Sequence, residues 1–378
     1  MSIVRKHIVY ADNAATTKLD SQAFEAMKPW MLEEYGNASQ PYTFSREPKK
    51  ALAEARSTIA ECIGANPDEI FFTSGGTESD NWVIKSSAFS DGLHRAMLTS
   101  TFEHHAVLKS CAFIERLGYP VAYVQPNKDG QILPDTLSGL ITDSTRLVSI
   151  MLANNEIGSI QPIKTLCGIA HRYGSLFHTD AVQAIGHIKV DVHDLGVDYL
   201  SASAHKFNGP KGVGFLYIRS GVDLMPFYDG GAQEKGRRAG TENIASIVGM
   251  SAALRKNCDL MDANIQHISN LESQLIAKLR ESGLVFVRNG SNNTLPGLLS
   301  LSFPGRDGET ILHRMDLMGI SISTGAACDS ENTKVSHVLQ AIRLDENLAK
   351  GTVRISLGKN NTADDIERIV SALMRILS

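Results

Sequence analysis

Residues 71–81 read FFTSGGTESDN: an aromatic run, a pair of glycines, a threonine, then Glu-Ser-Asp. Residues of β-propensity followed by glycines and helix-starting polar residues predict a strand that turns directly into a helix. Gly75 and Gly76 permit close backbone approach. The helix N-terminus would offer free N–H groups and the positive end of a dipole to a phosphate. A plain strand-to-helix turn capped by Thr77 or Ser79 is the competing reading, since the segment has neither the lysine of a Walker loop nor the third glycine of a dinucleotide fingerprint.

The same unit recurs through the first two-thirds of the chain. EIFFTSGG, RAMLTST, PVAYVQP, RLVSIMLANN, GSLFHTD, DYLSASAHK and GVGFLYIR read as strands. KKALAEARSTIAECIG, SDNWVIKSSAF, HAVLKSCAFIERLG and PIKTLCGIAHRYG read as helices between them. Such alternation predicts an α/β fold with a mostly parallel, helix-covered sheet. Ligands on sheets of this kind gather where strand C-termini meet helix N-termini. From about residue 255 the pattern changes to a long helix (CDLMDANIQHISNLESQLIAKLRESG), the strands LLSLSFPG, GISIST and TVRISLG, and a closing helix. This predicts a second, smaller α+β unit. No repeat or low-complexity linker separates the two, so they are expected to pack together.

Polar residues cluster just after the predicted strands. In FHTDAVQAIG, Asp180 ends a strand with Gln183 three residues on. A buried carboxylate there could hold a protonated ring nitrogen, or simply cap the following helix. In SASAHKFNGPKGVGFLYIR, Lys206 follows Ser203 and His205 at a strand end, ahead of a Gly/Pro turn. A lysine partly withdrawn from water there is a candidate Schiff-base amine. TFEHHAVLKS adds His104 and His105, one of which could stack on a ring and move protons near neutral pH. Residue chemistry does not rank them, and helix capping is the alternative. LANNEIGSIQP offers Asn154, Asn155 and Glu156 in another strand-end loop. Phosphate cradle, carboxylate and lysine at strand ends of one sheet are what pyridoxal phosphate requires.

The chain has 378 residues, long enough for two domains, with 43% hydrophobic and 21% charged residues. A net charge of −4 gives no reason to expect a nucleic acid or anionic membrane partner. No apolar run approaches the roughly 20 residues of a membrane span, and the N-terminal MSIVRKHIVYADNAATT lacks the apolar core of a secretory signal. Cys62, Cys111, Cys167, Cys258 and Cys328 are odd in number and widely spaced, which argues against a disulfide framework or a zinc site. The cytoplasm is the expected compartment, with no metal. Four of these cysteines lie in amphipathic helices or at helix starts and read as core or incidental. Cys328 differs: it sits among Ser, Thr, Gly, Ala, Asp and Asn, with Gly325, Ser330 and Asn332 disfavouring fixed structure.

YADNAATT, YGNAS, FFTSGGTESDN, EHHAV, NNEIGSIQPI, HTDAVQAIG, SAHKFNGPKGVGFLYIR, RRAGTEN, STGAAC, SHVLQAI and VRISLG run in this order nearly end to end. On these motifs the chain resembles the NifS/IscS-like cysteine desulfurases, pyridoxal phosphate enzymes of fold type I in the class V aminotransferase superfamily. The resemblance implies a large cofactor domain over 15–255 with a seven-stranded sheet. It implies a small domain over 1–14 and 256–378 that carries the cysteine loop at about 323–335. Lys206 would bond the cofactor, Asp180 its ring nitrogen and Gln183 its ring hydroxyl. His104 would stack on the ring and shuttle protons. Gly76, Thr77, Ser203 and His205 would hold the phosphate, with Thr241 reaching the phosphate of a neighbouring subunit in a homodimer. Asn155 and Arg354 would bind the substrate carboxylate. Tyr42 stands where the family commonly has a histidine, which bears on substrate handling or an accessory partner and not on the core chemistry.

The activity implied is conversion of L-cysteine to L-alanine, with sulfur taken by Cys328 as a persulfide for a sulfur-acceptor protein. The IscS-like branch has a longer, mobile version of the loop that suits such delivery. Iron–sulfur assembly is one destination among several, and the sequence does not choose among acceptors. Two readings compete: a selenocysteine or cysteine lyase that releases free selenide or sulfide, and a non-catalytic scaffold that kept the fold.

Overall fold

The computed structural model describes residues 8–90, 92–324 and 335–378. Its strands are β1 (Val9–Tyr10), β2 (Ile70–Thr73), β3 (Ala96–Ser100), β4 (Val121–Val124), β5 (Thr145–Ser149), β6 (Leu176–Asp180), β7 (Tyr199–Ser203), β8 (Gly214–Ile218), β9 (Val287–Arg288), β10 (Leu298–Ser302), β11 (Ile320–Ser321) and β12 (Thr352–Ser356). The seven strands predicted in the first two-thirds all form and join one sheet in the order β2-β8-β7-β6-β5-β3-β4. From β7 to β4 every pairing is parallel. β8 alone is reversed, antiparallel to both β2 and β7. Two reversals cancel, so every strand except β8 delivers its C-terminal end to the same edge.

β7 and β8 are buried along their whole length, and GFLYI accordingly shows no alternation of apolar and polar residues. Helices cover the sheet. Arg46–Ile63 buries Leu52, Ala55, Ile59 and Ile63 at helical spacing and ends at Gly64, whose φ of +69° closes the helix in the left-handed conformation. Helix Ile163–Arg172 buries Ile163, Leu166, Cys167 and Ala170 in the same way.

A second core gathers Leu275 and Leu279, Leu299 and Leu301, Ile366 and Leu373, together with Val9 and Ala11 from the N-terminus. It lies between helices Met261–Glu281 and Ala363–Leu377 and the antiparallel sheet β12-β10-β9. Two local expectations differ from the structure. The long helix predicted to begin at Cys258 is broken at Leu260, whose ψ of +12° closes helix Ile244–Asp259 and opens Met261–Glu281, so Cys258 and Asp259 belong to the preceding helix. The strand in GISIST spans only Ile320–Ser321, β11, which pairs in parallel with β1, a partner some three hundred residues earlier that no local pattern could reveal, while Ser323 bridges to Arg354 of β12.

Candidate active site

The strand ends meet the second unit at a cavity of about 320 Å³. Gly76, Thr77, His104, Asn155, Asp180, Gln183, Ser203, His205, Lys206 and Arg354 all line it. Segments read separately along the chain therefore converge: all but Arg354 follow strands whose C-terminal ends share one edge of the large sheet, and Arg354 comes from β12 of the second unit. Three expected residues are not in this wall. Thr241 is exposed and does not line the cavity of its own chain. Tyr42 is exposed at the start of a short 3₁₀ turn. Cys328 lies outside the described residues, although Ser323 before it and Ser336 after it both line the cavity.

The glycine turn is a close-approach device. Gly75 has φ of +146°, and a Cβ added to Gly76 would come 2.5 Å from Cγ2 of Val182. Helix Gly76–Phe89 starts there, so its first N–H groups face the cavity wall formed with Ser203 and His205. Glu78, in the first helical turn, is an anion in a place that would repel a phosphate. Arg238 neutralises it through hydrogen bonds of 2.9 and 3.1 Å. Although burial opposes ionisation, Arg238 and Ser74 leave the Glu78 carboxyl below its ordinary range.

Asp180 ends β6 and is only 5% exposed. Burial lifts it to about 6, while the Val182 N–H and the Lys206 charge pull it down. Two further acids lie behind it, Asp80 and Glu103, both driven upward by burial. Glu103 reaches about 8 although it accepts from Ser100 Oγ at 2.5 Å and from the Met151 N–H. His178 bridges Ser149 and Ser201 at 2.8 and 2.9 Å and is held at about 3 by burial, so it stays neutral behind Asp180.

Lys206 sits in a 3₁₀ turn directly after β7 and donates to the backbone carbonyls of Ala14 and Ala15, at 2.5 and 3.0 Å. Gln183 donates to the same Ala14 carbonyl at 2.9 Å. The YADNAATT segment thus forms the far wall and holds the amine. His205 contacts it as well, through Thr16 Oγ1 at 3.1 Å, and burial with the Lys206 and Lys211 charges brings His205 to about 4.

Both proposed uses of the histidine pair meet in one residue. His104 Nδ1 accepts from the Ala106 N–H at 3.1 Å, capping helix His105–Arg116, and the ring also lines the cavity. Burial, then Lys206, then His105 lower it to about 4, so it is a neutral base near pH 7 with its proton on Nε2. His105 lines the cavity beside it and packs against His337, their ring centroids 4.7 Å apart.

Arg354 projects from β12 and is 6% exposed. Its fork is divided: Nη1 donates to the Asn155 carbonyl at 2.9 Å and Nη2 to Asp12 Oδ1 at 2.6 Å. Sequence reasoning quoted Asp12 within YADNAATT and Glu103 within EHHAV without giving either a role. Asp12 is separated from Arg354 by 342 residues, and only a paired alignment of both motifs could have signalled the contact.

These residues fit pyridoxal phosphate. The first turn of helix Gly76–Phe89 opens on the cavity beside Ser203 and His205, where its unpaired N–H groups suit a phosphate. Asp180 is a buried carboxylate short of positive charge, which a protonated pyridine nitrogen would supply. The architecture is that of the fold-type I pyridoxal phosphate enzymes, a conclusion to which the comparisons with known proteins give a family. The Aminotransferase class-V family matches residues 9–369. Cysteine desulfurase IscS of Dictyoglomus turgidum is 46% identical over 376 residues, 98% of this chain and 95% of that protein. Cysteine desulfurase IscS of Methanosarcina thermophila is 44% identical over 372 residues, 98% and 92% respectively. A solved NifS-like protein superposes with a TM-score of 0.92 at 37% identity, covering 98% of this chain and 99% of the other. SspA in complex with cysteine gives 0.83 at 34% identity, with 94% and 100% coverage. The chain belongs to the class-V aminotransferase family, among its cysteine desulfurases.

Proposed function

We propose that the chain takes sulfur from L-cysteine, leaves L-alanine, and holds the sulfur as a persulfide on Cys328 for a protein acceptor, iron–sulfur cluster assembly being one destination. The observation that carries this reading is the convergence of Lys206, His104, Asp180 and Arg354 on one cavity. Pyridoxal phosphate, when bound, supplies an electron sink for a carbanion at the substrate Cα. Lys206 would hold it through its amine, and the same amine is placed to remove the substrate α-proton. Asp180 pairs with the ring nitrogen and Gln183 with the ring hydroxyl. Gly76, Thr77, Ser203 and His205 hold the phosphate, completed by Thr241 of a second subunit in a homodimer.

Arg354 and Asn155 take the substrate carboxylate, the planar guanidinium giving it a fixed orientation. His104, neutral above about pH 4, accepts and returns the proton that sulfur chemistry releases. The Cys328 thiolate attacks the substrate sulfur. A sulfur–sulfur bond forms, the carbon–sulfur bond breaks, and carbon keeps the electron pair and takes a proton to become the methyl group of alanine. Residues 15–255 act as the cofactor domain; 1–14 and 256–378 form the domain that brings Arg354 and Cys328. The cytoplasm is the proposed compartment. Alanine production from cysteine by wild type and Cys328→Ala tests the reading: turnover falls by orders of magnitude in the variant. An unchanged rate would instead identify a lyase that releases sulfide.

A further inference from the structure

Cys62 lies in the last turn of helix Arg46–Ile63 and Cys258 in the last turn of helix Ile244–Asp259. The two helices pack against one another, and their thiols, 196 residues apart in sequence, meet at the end of that contact. Cys258 Sγ points at the last turn of the other helix and donates to the Cys62 carbonyl oxygen at 4.0 Å. Both residues are free thiols and partly exposed, whereas Cys111 and Cys167 are each 1% exposed. Arg255, one helical turn before Asp259 and ion-paired with Glu61, places a guanidinium beside the pair. A thiol pair that is partly open to solvent and beside a cation has the surroundings of reactive cysteines, not of core ones.

We propose that Cys62 and Cys258 form a thiol–disulfide exchange site for low-molecular-weight disulfides, separate from the cavity chemistry. The site closes as a Cys62–Cys258 disulfide between the two helices. The order of attack follows from asymmetry within the pair. Cys258 follows Arg255 by three residues on the same helix, and its interactions with Cys62 and with that guanidinium lower it, while Cys62 is raised by its interaction with Cys258 and by burial.

The Cys258 thiolate attacks one sulfur of the small disulfide, whose sulfur–sulfur bond breaks as one small thiolate leaves with the electron pair. Cys62, losing its proton, then attacks the Cys258 sulfur and expels the second small thiolate. Two protein thiols are oxidised, one small disulfide is reduced to two thiols, and the two cysteine protons end on those products.

Oxidised glutathione added to the holoenzyme provides the probe. After alkylation of remaining thiols under denaturing conditions, non-reducing peptide mapping should find Cys62 joined to Cys258, with Cys111 and Cys167 alkylated and dithiothreitol reversing the link. Cys62→Ser should trap glutathione on Cys258, and Cys258→Ser should leave Cys62 free of glutathione. Full alkylation of both thiols in wild type, or glutathione retained on either without the linked peptide, overturns the proposal. Glutathione on Cys62 in Cys258→Ser overturns the order of attack and with it the assigned asymmetry. Peptide-level assignment keeps all these outcomes separate from any modification of Cys328.

Discussion

Glu103→Gln should make the enzyme's stability less sensitive to rising pH. Glu103 is fully buried just before His104, and its own carbonyl accepts from His337 Nε2 at 2.9 Å, so it anchors two elements of the cavity wall. Burial raises its carboxyl from 4.5 to about 8. A carboxyl raised on folding binds its proton more tightly in the folded state, so its stabilising contribution is complete below the unfolded value. That contribution is lost as pH climbs from 4.5 towards 8. At 1.36 kcal/mol per unit, about 3 kcal/mol of that loss falls between about pH 5.5 and 8.5. Glutamine cannot ionise and keeps a carbonyl acceptor for Ser100 and Met151. The relevant readout is the difference between variant and wild type at the two pH values, because every other titrating group is common to both. Thermal unfolding of the holoproteins should show the variant gaining roughly 4 °C on wild type from the lower to the higher pH, at about 1.3 °C per kcal/mol for a chain of 378 residues. A gap that stays constant across that range would mean Glu103 is ionised in the folded protein, and the picture of a neutral acid behind Asp180 would fail.

Borohydride treatment of the holoenzyme should fix pyridoxal on the peptide containing Lys206, and Lys206→Ala should purify without the yellow absorbance; labelling of Lys211 instead would move the assignment. Asp12→Asn keeps a hydrogen-bond acceptor but removes the charge opposite Arg354, so thermal stability should fall by about 1–3 kcal/mol, the cost of leaving a buried cation half compensated. Unchanged stability would show that Asp12 does not hold that guanidinium. Light scattering at working concentration should find a dimer, and an active monomer would exclude any role for Thr241 in a partner's site.

Strands, helices and the cavity residues at strand ends were legible because each rests on local pattern. The 2.0 and 3.6 periodicities and the glycine punctuation lie within windows of a few residues. The reversal of β8 was not legible, since GFLYI buried on both faces carries no sign of its direction. Contacts at long separation were hidden for the same reason. Arg354 with Asp12, β11 with β1, and Cys62 with Cys258 each join segments whose proximity is a product of the whole fold. Cys62 and Cys258 read as incidental helix residues in the sequence, and only the packing of their helices makes a pair of them. Residue chemistry alone could not rank His104 and His105, and the choice of His104 comes from the resemblance; the structure places both on the cavity while giving the cap to His104.

The central claim is that substrate sulfur passes to Cys328, and intact-protein and peptide mass spectrometry of wild type mixed with L-cysteine tests it most directly. One added sulfur should appear on the peptide containing Cys328, disappear on reduction, and be absent from Cys328→Ala. Alanine formed at full rate while that peptide gains no sulfur would contradict the account.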